Sequence, residues 1–141
     1  MRNRLVTVAG TALLVVVGVS ACGSEMTVPR NAARVTVDGV THTARPPACS
    51  QITSYRTIDI RDHDGDIQAV VLISGQRVIP QFVKLRNVDG FNGSAWEGGV
   101  GEMEAKYANG EYTISGSAYG INSKNNPNKV VNTDFKIVAE C

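Results

Sequence analysis

Aromatic side chains are scarce in this chain. They make up 6% of its 141 residues, with a single tryptophan. A lipid or cofactor carrier must line a cavity of several hundred Å³ with apolar groups, and this supply is barely enough for one close-packed core. Blocks of like charge are also missing: 14 basic and 13 acidic side chains are interspersed. That argues against a nucleic-acid-binding stripe, and it gives acidic lipid no strong attractor. No apolar run reaches the roughly 20 residues of a membrane-spanning helix. The run that comes nearest, Leu5 to Val19, stops short. Asn3 separates Arg2 from Arg4, so there is no twin-arginine pair and export takes an unfolded chain. Serine or cysteine with a base and an orienter in a local signature is absent too, which lowers the case for an enzyme.

What is present at the N-terminus is ordered and specific. Arg2 and Arg4 precede the apolar run, and Val19-Ser20-Ala21-Cys22 closes it. Positive n-region, short h-region and small-residue cleavage site thus follow in sequence. A cysteine at that point, with an aliphatic residue three back, is a bacterial lipobox. Its thiol is alkylated with diacylglycerol, the signal (residues 1–21) is cut away by lipoprotein-processing enzymes, and the new amine is acylated, commonly with palmitate. One acyl chain holds a protein marginally, at about 0.8 kcal/mol per buried methylene; two or three hold it firmly. The expected location is therefore the extracytoplasmic face of the cell membrane, within the cell envelope and away from nucleotide cofactors and nucleic acid.

Removing residues 1–21 leaves enough chain for one domain with a core and too little for two. Arg2 and Arg4 leave with the signal, so the mature chain stays close to neutral. Once Cys22 is lipidated, Cys49 and Cys141 remain, in a compartment where disulfides persist. Two cysteines allow one intramolecular connectivity, and a reactive free thiol is the weaker alternative because no neighbouring pattern would activate it. Closing so long a loop stabilises by about 4–5 kcal/mol in the chain-entropy account.

Residues 22–33 are polar and aperiodic and read as a lipidated tether. From residue 34 to 141 strand signals dominate. Val35 and Val37 alternate with polar residues and meet the turn dipeptide Asp38-Gly39. Ile67 to Ile73 is a β-branched run suited to a buried central strand, and Pro80 marks the next segment as an edge or a bulge. Asn109-Gly110 sits between Glu102–Tyr107 and Glu111–Ala118 as the clearest hairpin. Asn122 to Asn132 reads as asparagine-rich loop, and Phe135, Ile137 and Ala139 share one face of a closing strand. The expected fold is mainly β: an antiparallel β-sandwich or flattened barrel of about eight short strands, with room for one short helix in Arg45–Arg56.

The order Val83-Lys84-Leu85-Arg86-Asn87-Val88-Asp89-Gly90, Tyr112-Thr113-Ile114-Ser115-Gly116-Ser117-Ala118-Tyr119-Gly120 and Phe135-Lys136-Ile137, ending at Cys141, resembles the mycobacterial 19-kDa lipoprotein antigen family. Val35-Thr36-Val37-Asp38-Gly39 and the position of Cys49 fit as well. The resemblance implies an acylated envelope antigen with a β-rich domain, sensed by host Toll-like receptor 2 through its lipidated N-terminus. It carries over Cys22 and the Cys49–Cys141 pair and no catalytic residue. The family's 19-kDa antigen has a threonine/serine-rich stalk that is O-mannosylated; here the tether offers only Ser24 and Thr27. That departure marks a paralogue rather than the antigen itself.

The densest ionisable cluster is Asp62-His63-Asp64-Gly65-Asp66. Alternate carboxylates around a glycine resemble the opening of a calcium loop, but the twelfth position, where an EF-hand needs a bidentate glutamate, holds Ile73. A solvated hairpin turn is the reading, and no metal or cofactor is expected. His42 and His63 have no partner at zinc spacing and read as surface residues. Asn92-Gly93-Ser94 matches a glycosylation sequon that a bacterial lipoprotein does not ordinarily meet. Trp96, set among glycines, reads either as a core anchor or as an exposed contact for a ligand or partner. The function that follows is a non-enzymatic envelope lipoprotein and antigen, with a lipid or glycolipid carrier as the alternative.

Overall fold

The computed structural model describes residues 31–99 and 101–141. Ten strands follow one another: β1 (Arg34–Val37), β2 (Val40–Thr43), β3 (Ala48–Ile52), β4 (Tyr55–Arg61), β5 (Asp66–Ser74), β6 (Arg77–Val88), β7 (Phe91–Trp96), β8 (Met103–Ala108), β9 (Glu111–Asn122) and β10 (Asn126–Glu140). Every pairing is antiparallel. The strands form one sheet in the order β2-β1-β10-β9-β7-β6-β5-β4-β3, and β8 joins β9 off this path. β9 is long enough to pair with β8 along its first half and with β7 along its end.

Side-chain alternation explains the layering. On β4 and β5, Ile58, Ile60, Ile67, Ala69 and Val71 are essentially unexposed while Asp59 and Gln68 face water. On β1, β9 and β10, Val35, Ile114, Phe135, Ile137 and Ala139 do the same. A period-two strand buries one face only, so the two ends of the sheet must turn those faces toward each other. The Cys49–Cys141 bridge requires the same thing. β3 and β10 lie six places apart in the strand order, which in a flat sheet would separate them by about 29 Å at the usual strand spacing. Their bridged residues have Cα atoms 5.9 Å apart. The sheet therefore folds over on itself into a sandwich-like body, and its ladder does not close into a barrel.

Turn chemistry places the strand ends. Asp38-Gly39, Asp89-Gly90 and Asn109-Gly110 all have positive φ at both residues, as a two-residue type I′ hairpin requires. Pro80 sits where the β5–β6 register slips: Val70 faces Phe82 and Val71 faces Pro80. The bulge removes the need for a proline N–H in the ladder.

Two expectations are corrected. Arg45–Arg56 holds no helix; it carries β3, the turn Thr53-Ser54 and the start of β4. Thr53 adopts φ 54°, and its hydroxyl donates to Ile52 O at 2.7 Å. A threonine–serine turn lacks the glycine or asparagine signal that would mark a hairpin. The asparagine-rich stretch is also not all loop. β10 begins at Asn126, and Val130, Val131 and Asn132 pair with Ile121, Gly120 and Tyr119 after an irregularity between residues 126 and 130.

Candidate functional site

Cys22 and the segment read as a signal lie outside the described residues. The structure shows instead where the chain enters the fold. Asn31 is exposed, and its side-chain amide donates to both carboxylate oxygens of Glu140 at 2.9 Å. Ala33, at the end of the segment read as tether, is fully buried. Its amide donates to Arg45 O at 3.5 Å and its carbonyl accepts from the Ala44 amide at 2.8 Å. Ala33 is thus part of the described fold, and the chain enters beside Arg45.

Cys49 lies on the end strand β3, and Cys141 follows β10; the two are joined. The Cys141 amide also donates to Gly110 O at 3.2 Å, fixing the C-terminus against the β8–β9 turn.

The outer face of β4, β5 and β6 carries a polar cleft of about 640 Å³. Register builds it in two rows. Arg61, Asp66 and Arg86 are cross-strand neighbours, and so are Asp59, Gln68 and Lys84. Arg45 closes one side, held there because its amide donates to Arg61 O at 3.1 Å. Four cations (Arg45, Arg61, Lys84 and Arg86) and two carboxylates (Asp59 and Asp66) line the space. Both carboxylates are already engaged. Asp66 takes a two-point hydrogen bond from the Arg86 guanidinium, through Nε at 2.7 Å and through the second nitrogen. That hydrogen bond, and then the charge of Asp66, hold the Arg86 guanidinium above its ordinary pKa. Asp59 accepts from Gln68 Nε2 at 3.0 Å. Among the described residues, no carboxylate lies within ion-pair distance of Arg45, Arg61 or Lys84.

Sequence reading did not find this cleft. Lys84 and Arg86 alternate along β6, but aligning them with Arg61 and Arg45 depends on strand register and on the β2–β3 connection. Interspersed charge along the chain becomes a local excess of cations in space.

The Asp62–Asp66 cluster forms the β4–β5 turn, closed by the Asp62 amide donating to Gly65 O at 3.0 Å. His42, far away in sequence, comes to the same small recess as Asp62, His63, Asp64 and Asp89. Among the described residues, no group of three His, Cys, Asp or Glu side chains is placed to hold a metal ion.

Trp96 is 43% exposed at the end of β7. An ideal Cβ on Gly99 would fall 1.7 Å from the indole nitrogen, so only glycine admits the ring across that turn. Trp96 faces Phe82, which faces Val70. One step along, Ile79, Leu72, Tyr55 and Ile52 form a second cross-strand row. Cross-strand partners share a face, so the outer surface at this end of the sheet is apolar, with Ile52 76% exposed.

The chain is similar over its length to mycobacterial proteins that carry lipoprotein names. A probable lipoprotein LppE of Mycobacterium tuberculosis is 67% identical over the full length of both chains. A chain of Mycobacterium indicus pranii is 35% identical over the full length of both. One of Mycobacterium avium subsp. hominissuis is 29% identical over all of this chain and 97% of its own. Both carry lipoprotein names. The family model described as Mycobacterium 19 kDa lipoprotein antigen matches residues 26–141, and the chain belongs to that family.

Proposed function

We propose that this protein is a non-enzymatic cell-envelope lipoprotein, anchored on the extracytoplasmic face of the membrane by acyl chains on Cys22. Its acylated N-terminus is the part that host Toll-like receptor 2 senses. The family match carries the reading: it begins at residue 26, just after the cysteine that ends the lipobox, and continues to Cys141. Acyl chains are what a lipid-binding receptor can engage, and residues 23–30 separate them from the fold. The carrier alternative lacks comparable support. The apolar side chains of the two half-sheets pack against one another as one cluster, and the cleft on the outer face is lined by charge.

The test is Cys22→Ala in the full chain, expressed in a mycobacterial host. The variant should be uncleaved or secreted, leave the detergent phase, and fail to stimulate receptor-bearing reporter cells. Normal processing with quantitative detergent partition would overturn the anchor. Undiminished stimulation after endotoxin removal would move the signal to the folded surface, with Trp96 and its apolar row as the place to look.

A further inference from the structure

We infer that the cationic cleft on β4, β5 and β6 docks the phosphate headgroups of anionic phospholipids in the membrane that holds the chain. The inference rests on the reading of Cys22 as the anchor and adds a second, non-covalent contact to it. Three observations converge. Among the described residues, Arg45, Arg61 and Lys84 have no carboxylate within ion-pair distance, while the two carboxylates in the cleft are taken by Arg86 and Gln68. Guanidinium groups offer a planar fork of donors that fits phosphate oxygens. The excess is local, since the whole chain carries a net charge of only +1. Asp62 and Asp64 line the adjoining recess rather than this cleft, so the positive zone ends at Arg61.

The third observation is position. Ala33 enters the fold against the backbone of Arg45, at the lip of the cleft. The eleven peptide steps from Cys22 to Ala33 can span at most about 40 Å. An acylated Cys22 therefore keeps the cleft within that distance of the lipid headgroups whatever path the tether takes. Tethering at such range raises the local headgroup concentration, so weak sites become occupied. A volume of about 640 Å³ is in the range that accepts a headgroup rather than a bare ion.

The acylated full-length mature protein tests this when reconstituted into vesicles of phosphatidylcholine alone, or of equimolar phosphatidylcholine and phosphatidylglycerol. Amine labelling of Lys84 is read by mass spectrometry, with Lys136, on β10, as internal control. Lys84 should be protected severalfold in the anionic vesicles only, and 1 M salt, where the screening length is about 3 Å, should abolish the protection. Lys136 should not change. Each arginine near an anionic surface is worth about a fivefold change in occupancy, so Arg45→Gln/Arg61→Gln should lose most of the protection and stay anchored. Equal Lys84 labelling in both vesicle types, in protein that floats with both, would overturn the docking and leave the anchor standing. Protection that survives in the double variant would also overturn it. Full protection by millimolar inorganic phosphate in neutral vesicles would reassign the cleft to a free anion. Failure to float with neutral vesicles would refute the anchor and the docking together.

Discussion

The ammonium of Lys124 stands 3.0 Å from Asp89 Oδ1, joining the β9–β10 turn to the β6–β7 turn. Its stem crosses Gly90, where an ideal Cβ would come within 2.7 Å of the lysine Cγ, and Gly90 also needs φ +82° for the turn. The hydrogen bond from Lys124, and next its charge, hold the Asp89 carboxyl below the ordinary aspartate range. A depressed carboxyl pKa stabilises the fold above the unfolded value, and that contribution fades as pH falls through the folded value. Both groups are largely exposed, so screening keeps the energetic effect small. Lys124→Ala should raise the Asp89 titration midpoint toward the ordinary aspartate value, followed by carboxyl-carbon NMR, and leave the melting temperature nearly unchanged. A midpoint that stays depressed in the variant would show that Lys124 is not the cause.

Two glycines let β7 lie against the end of β9. Gly93 and Gly120 are direct register partners there. An ideal Cβ on Gly120 would lie 2.0 Å from Asn92 O, and one on Gly93 2.6 Å from Tyr119 O. These obstacles are backbone, which cannot move aside without breaking the ladder that joins the two halves of the sheet. Gly120→Ala should cost about 1–3 kcal/mol, the usual range for overpacking, measured by urea unfolding; a loss under a few tenths would show that the junction yields. Such element-level facts divide what the sequence shows from what it hides. Hairpins closed by Asp-Gly or Asn-Gly were legible because positive φ at two adjacent positions leaves few residue choices. The buried faces of β1 and β10 were legible from period two, and β5 from its β-branched run. β3 was hidden because a Thr53-Ser54 turn carries no such signal. The start of β10 was hidden because asparagines there are held by pairing with β9, a tertiary effect that overrides weak local propensity. The cationic cleft was hidden for a further reason: cross-strand alignment of Arg61, Asp66 and Arg86 exists only once register is known.

At the scale of the whole molecule, one folded-over sheet must hold its far end in place. β3 is that end, hydrogen-bonded to β4 alone in the strand order. It also carries parts of both candidate surfaces: Ala48 lines the cationic cleft, and Ile52 ends the apolar row. Between them Cys49 is tied to Cys141 at the C-terminus, which packs against the β8–β9 turn. The bridge thus spans the opening between the half-sheets on the side away from the β7–β9 junction. Removing it, as Cys49→Ser/Cys141→Ser, should cost about 2–5 kcal/mol, as is usual for small exported domains. The loss should not fall evenly. β9 and β10 pair along twelve register positions from Glu111–Glu140 to Asn122–Asn126, and central ladders open last. Backbone amides of β3 and the facing edge of β4 should therefore lose hydrogen-exchange protection first, while β9 and β10 keep theirs until global unfolding. Uniform loss across all ten strands would mean that the bridge supports the whole fold as one unit. Selective loss at β3 would make oxidation of this pair the condition under which the cleft and the apolar row keep their shape.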